Sequence, residues 1–159
     1  MDAVAKMVSV CETPTDRALV TLLGRCGLRI SEVRSLSTYS IDTDERVITV
    51  IGKGDKTREV PISSQAWEDL RDRISEAGPG EMLVPLSDRT ARRRWKDIAG
   101  KAGLGDSATH DGRATVATAM HNKTNNIRVV QEFLGHASSK TTETYTAVAL
   151  EQMREGVEL

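Results

Sequence analysis

The chain has 159 residues, a net charge of −1, 38% apolar residues and 28% charged residues, which suits one soluble domain with a real core and leaves little room for a second. No apolar stretch approaches a membrane span, the N-terminus lacks a basic segment followed by an apolar run, and the near-neutral charge excludes an indiscriminate polyanion binder. Two cysteines, Cys11 and Cys26, lack metal-ligand spacing, and this favours a reduced, cytoplasmic setting. In chain order, Thr13-Pro14 with Asp16 in the first turn opens a helix whose inner face carries Ala18, Leu19, Leu22, Leu23 and Cys26. Gly27 ends that helix, and a short second helix follows with Val33 and Leu36 inward. The β-branched runs RVITVIG and TREVPI flank the polar turn Lys53-Gly54-Asp55-Lys56, which predicts a β-hairpin. A further strand near 38–41 would complete a small antiparallel sheet.

Ser64 is the expected cap of the next helix, with Trp67, Leu70 and Ile74 inward, and Gly78-Pro79-Gly80 breaks it. Ser87 or Asp88 starts another helix, with Trp95, Ile98 and Ala102 buried, which Gly103 and Gly105 end. Helices are then expected at about 113–122, 126–134 and 140–148, Gly135 closing the second, and 149–159 is a candidate final helix with Val148, Met153 and Val157 as its apolar positions. The fold class is mostly α with a small antiparallel β-sheet (α+β), without internal repeats.

The charge is unevenly spread. Residues 89–101 hold Arg89, Arg92, Arg93, Arg94, Lys96 and Lys101 against one acid, Asp97. Like charges one turn apart repel, so such a helix surface calls for anions nearby. Phosphate contacts there would add affinity without reading sequence.

The chemistry concentrates elsewhere. Arg29 lies between two helices, Lys53 at a hairpin tip, His110 and Arg113 across a helix start, His136 after a helix-ending glycine, and Tyr145 one short segment later. Brought together, the six would surround a phosphate. Two guanidiniums can clamp its non-bridging oxygens and stabilise the charge of a pentavalent transition state, with His136 adding a hydrogen bond. Tyr145 is the candidate nucleophile; a phenol with a pKa of about 10 needs cationic surroundings or a base near neutral pH. His110 is a candidate base or proton relay, and Lys53 a candidate general acid for the leaving oxygen.

In order, GLRISE (27–32), VIGKGDKTREVPI (50–62), HDGR (110–113) and LGHASSKTTETY (134–145) resemble the catalytic domain of the tyrosine recombinases, the phage integrase family. The resemblance covers nearly the whole chain. It implies that Arg29 and the HxxR pair His110 and Arg113 are catalytic, that Lys53 is the hairpin lysine with Lys56 its rival, that His136 fills the His/Trp position, and that Tyr145 is the nucleophile. Glu32 matches an acidic position that supports the active site. The family usually reads HxLRHT; here Gly112 stands for the leucine and Ala114 for the second histidine.

The resemblance also implies site-specific DNA recombination, as integration or excision through a 3′-phosphotyrosyl intermediate. It implies no cofactor and no metal. The expected partners are double-stranded DNA attachment sites, a homotetramer on DNA formed from free monomers, and accessory DNA-bending or directionality factors. The expected place is the cytoplasm of a bacterial host, in a phage or other mobile element. Arg89, Arg92, Arg93, Arg94, Lys96 and Lys56 are the expected DNA contacts. Residues 1–146 would form the catalytic domain, and 147–159 a tail that packs on a neighbouring protomer or on its own domain. The family's N-terminal core-binding and arm-binding domains would be absent. Type IB topoisomerases share this chemistry, and strand relaxation is the alternative reaction; a non-catalytic DNA-binding fragment is the alternative of another class.

Overall fold

In a computed structural model of the protein, residues 2–135 and 147–158 are described. Helix α1 (Ala3–Ser9) leads into α2 (Pro14–Gly24), α3 (Ile30–Ser35) and a three-stranded antiparallel sheet. The strands are β1 (Ile41–Asp42), β2 (Val47–Ile51) and β3 (Thr57–Pro61), in the order β1-β2-β3. Five helices follow: α4 (Ser64–Glu76), α5 (Asp88–Lys101), α6 (Thr109–Thr124), α7 (Ile127–Leu134) and α8 (Ala147–Val157). The mostly helical class with a small antiparallel sheet is the one expected.

Helix α2 is the centre of the molecule. Ala18, Leu19, Val20, Leu22 and Leu23 are all essentially sealed from solvent, and α1, α4, α5 and α6 pack around it. Burial on nearly every side explains why its apolar positions exceed a single stripe. Thr13 caps it as read from sequence, its hydroxyl accepting from the Asp16 N–H at 3.1 Å.

Several local expectations shift. The strand expected near 38–41 is a 3-10 turn at Thr38–Ser40 followed by β1, which pairs Ile41 with Ile48 and Asp42 with Val47. The cap of α4 is Ser63, whose hydroxyl accepts from Ala66 N–H at 3.1 Å, and Ser64 instead donates its N–H and hydroxyl to Glu158. The inner face of α4 is Ala66, Asp69, Leu70 and Arg73. Asp69 is held by Arg25 at 2.8 Å, and Arg73 ties down the 78–84 loop through the carbonyls of Met82 and Leu83. Those buried polar groups take inward positions that an apolar pattern assigns to Trp67 and Ile74, which are only partly buried; Trp67 instead lies under the Arg46 guanidinium at 5.1 Å.

Helix α6 starts four residues before the expected 113. The Asp111 carboxylate accepts the Ala108 N–H at 2.7 Å and so satisfies a free donor at the new start. Helix α7 matches its expected span within one residue, and Gly135 closes it with φ +69°. The expected helix at 140–148 falls mostly outside the described residues. Helix α8 packs on α6, α7 and β3 of its own chain, with Met153 and Val157 buried.

Candidate active site

Gly27, at φ +66°, turns the chain sharply after α2. Leu28 is then buried, and Arg29 arrives as the N-terminal flanking residue of α3 with its side chain 44% exposed. One turn on, Glu32 reaches back. Its Oε2 accepts the Arg29 N–H at 2.8 Å, and its Oε1 accepts from the Arg29 guanidinium at 3.3 Å.

Glu32 is itself buried, and a charge there demands a partner. Arg58, inward on β3, supplies it. Its two terminal nitrogens donate to Oε1 at 2.7 Å and Oε2 at 3.0 Å, a forked pair. Its Nε donates to the Phe133 carbonyl at 3.0 Å, near the end of α7. Burial pushes the Glu32 carboxyl up, but the Arg58 and Arg29 hydrogen bonds and both arginine charges outweigh this and hold it below the ordinary value.

Arg113 approaches from α6. It donates to the Gly27 carbonyl at 2.7 Å and to the Leu134 carbonyl. Its pKa falls to about 10, chiefly through burial and also through the nearby Arg29 and Arg58 charges, with Glu32 acting in the opposite direction. Arg113 therefore stays charged near neutral pH, inside a concentrated positive field.

His110 sits one turn before Arg113 at the start of α6. Its side chain is 80% exposed, with Nε2 3.3 Å from an Asp111 oxygen. Lys53 and Lys56 are exposed in the tight β2–β3 connection, where Gly52 N–H donates to the Lys56 carbonyl at 2.7 Å and Gly54 takes φ +73°. The structure thus brings Arg29, Glu32 and Arg113 together, and leaves Lys53 on a solvent-facing loop. His136 and Tyr145 lie outside the described residues.

Sequence reasoning missed a role for Arg58. The signal was an arginine sharing the buried side of its strand with Val60, a placement that calls for a buried carboxylate partner.

The basic helix α5 is less bare than its sequence implies. Arg92 pairs with Asp88 at 2.7 Å and donates to the Thr109 hydroxyl, beside His110. Arg94 pairs with Asp16 at 2.8 Å, Lys96 with Asp106 at 3.5 Å, and Lys101 with Glu12 at 2.9 Å. Most of these acids come from outside the helix, so counting charges along 89–101 overstates its field. Arg89 and Arg93 are exposed and have no ion pair among the described residues. Among the described residues no three His, Cys, Asp or Glu side chains converge as a metal site would require, and no helix is long and apolar enough to cross a membrane.

Residues 1–152 match the model of the phage integrase family. The chain belongs to that family. Tyrosine recombinase XerC of Mycobacterium sp. (strain KMS) is 35% identical over 153 residues, covering 87% of this chain and 51% of the relative. Tyrosine recombinase XerD of Neisseria meningitidis serogroup B is 32% identical, covering 92% of this chain and 56% of the relative. The chain therefore spans about half the length of these curated relatives. Among solved structures, the integrase from mycobacterium phage Brujita superposes with a TM-score of 0.80 at 26% identity, covering 98% of this chain and 55% of that one. The XerA recombinase superposes with a TM-score of 0.72 at 28% identity, covering 96% and 61%. The fold and the family expected from the motifs are both confirmed.

Proposed function

We propose that this chain is the catalytic portion of a site-specific DNA recombinase that cleaves and rejoins strands through a 3′-phosphotyrosyl intermediate. The observation that carries the reading is the convergence of Arg29 and Arg113 at the Gly27 turn, over the buried Glu32–Arg58 pair. Two guanidiniums fixed in this way can hold the non-bridging oxygens of a phosphodiester as negative charge builds in the transition state. Relatives named tyrosine recombinases support the same chemistry.

In the proposed reaction Tyr145 attacks the scissile phosphorus. The phosphorus–O5′ bond breaks, a phosphotyrosyl bond forms, and the leaving 5′ oxygen takes a proton from Lys53. His110 relays the phenolic proton away from Tyr145, and His136 donates a hydrogen bond to the phosphate. A 5′-hydroxyl from a partner strand then reverses the step, so the bond energy is conserved. XerH has been solved bound to its difH substrate, and we extend duplex DNA to this chain as substrate. Arg89 and Arg93 are the α5 cations free to meet phosphates. Arg92 and Lys96 sit in solvent-exposed ion pairs that water screens, so they can exchange acid for phosphate; Arg94, anchored to the mostly buried Asp16, is the weaker contact. Assembly as a tetramer on DNA, contact of residues 147–159 with a neighbouring protomer, accessory bending factors and a cytoplasmic setting belong to the same proposal.

The test is a nicked duplex pool carrying randomised half-sites, incubated with the protein in EDTA. An SDS-resistant adduct that Tyr145→Phe abolishes is expected. An adduct that survives Tyr145→Phe, or none from folded protein that binds the duplex, overturns the reading. Joining of the cleaved strand to a second duplex, rather than resealing of the original one, separates recombination from strand relaxation.

A further inference from the structure

Arg58 is largely buried, yet three parts of the site meet on it. It is 8% exposed and fills both oxygens of Glu32 with the two shortest side-chain contacts that carboxylate makes. Its Nε holds the Phe133 carbonyl. A Cβ on Gly135 would lie 2.8 Å from its Nη1, so the chain just before His136 runs directly over its guanidinium.

The charge arrangement explains why a second arginine is useful here. Glu32 orients Arg29 by accepting its backbone N–H and one guanidinium nitrogen. Alone, that carboxylate would also cancel the charge it orients. With Arg58 closing a forked pair on Glu32, the four groups Arg29, Glu32, Arg58 and Arg113 leave a surplus of two positive charges; without Arg58 the surplus is one. Attack on a phosphodiester develops a second negative charge on the phosphoryl oxygens, and a preorganised matching field is what lowers that barrier. The weak 3.3 Å contact from Arg29 to Glu32 also leaves most of the Arg29 donors directed away from the carboxylate.

We propose that Arg58 is a positioning residue that neutralises Glu32, so that Arg29 is held in place without losing its charge to the carboxylate that holds it. The proposal rests on the cleavage reading above. Its Phe133 contact extends the same arrangement to the end of α7, so one guanidinium sets β3, α3 and α7 in register around the phosphate position.

The experiment compares wild type, Arg58→Met and the double variant Arg58→Met/Glu32→Gln, each first checked for folding by near-UV circular dichroism. Adduct formation on the nicked duplex pool is expected to fall about tenfold or more in Arg58→Met. It should recover substantially in the double variant, because removing the carboxylate charge restores the surplus of two. A purely structural role predicts no such recovery. Wild-type rates in Arg58→Met, or a folded double variant no faster than the single, overturn the proposal. An independent readout needs no cleavage: titration of 15N-arginine-labelled protein with inorganic phosphate, followed on the Arg29 Nε–H resonance. Phosphate affinity is expected to drop in Arg58→Met and return in the double variant, and equal affinity in all three overturns the proposal. Absence of any wild-type adduct, with the phosphate pattern intact, counts against the cleavage reading and not against the role of Arg58.

Discussion

Gly112→Ala tests whether the depth of one helix contact governs the site. A Cβ at Gly112 would lie 2.9 Å from the Trp95 Cη2, 3.0 Å from the Gly24 Cα and 3.1 Å from the Leu23 carbonyl oxygen. Ordinary contact begins at 3.4 Å, so α6 must retreat by about 0.3–0.4 Å from α2 and by about 0.5 Å from Trp95 on α5. Two of the three obstacles are backbone, and Trp95 is buried with its indole N–H on the Ser107 hydroxyl at 3.2 Å. Alanine gains about 1 kcal/mol over glycine in a helix interior, while overpacking costs about 1–3 kcal/mol. With so little able to yield, the upper half of that range applies, and the net loss is about 1–2 kcal/mol. That lowers Tm by about 2–8 °C at about 2–4 °C per kcal/mol for a chain of this size. The same retreat moves Arg113 away from the Gly27 carbonyl, so adduct formation should fall about tenfold; a misplacement of about 1 Å costs about a hundredfold. Calorimetry and the adduct assay read the two effects. An unchanged or raised Tm refutes the packing argument. In a Trp95→Phe background most of the penalty should persist; its disappearance would show that the indole alone sets the limit.

Thr21→Val should raise Tm by about 2–6 °C, because the Thr21 hydroxyl is buried with no hydrogen-bond partner among the described residues and removing an unsatisfied group relieves about 1–3 kcal/mol less the cost of imperfect fit; a lower Tm would mean that an ordered water satisfies it. Glu32→Gln should cost about 3–5 kcal/mol at pH 7 by leaving Arg58 buried without its carboxylate. The Glu32 pKa is depressed in the folded state, so its contribution is fully present above the ordinary value of 4.5 and is lost as pH falls through the lower folded value; urea melts should show the gap between wild type and variant closing in that acid range, and a gap independent of pH would sink the assignment. Gly135→Ala should cost about 2–4 kcal/mol, from the left-handed backbone at φ +69° and the overlap with Arg58, with a thermal melt indistinguishable from wild type as the contrary result.

Much of this architecture was legible because local chemistry and tertiary role coincide. Thr13-Pro14 must start a helix, Gly135 must end one, and two β-branched runs around Lys53-Gly54-Asp55-Lys56 must pair. Reading failed where a residue serves a distant partner. Nothing local says that Asp69 and Arg73 face inward, since their partners Arg25 and the 78–84 loop are remote or irregular. The early start of α6 was hidden because Gly112 argues against a helix interior until the closeness of α2 supplies its reason. The field of α5 was overestimated because Asp16, Glu12 and Asp106 reach it only through the fold. Within the site, Arg29, Glu32 and Arg113 were recognisable as motif positions, but the fork from Arg58 that makes Glu32 tolerable is a tertiary fact.

The site depends on one turn that three elements can approach. Gly27 accepts Arg113 from α6 through its carbonyl, and a Cβ there would press on Phe133 and Leu134 of α7 at 3.0 and 3.3 Å. Those two α7 residues give their carbonyls to Arg58 and Arg113. The backbone oxygens that anchor the guanidiniums therefore belong to the same contact that demands the glycine. A side chain at residue 27 would push α7 away from the Gly27 turn and carry both anchors away from Arg29 together. The GLR segment and the LG pair before His136 are thus two sides of one packing constraint, and this is why they reinforce each other as a signature although neither glycine can take part in the chemistry.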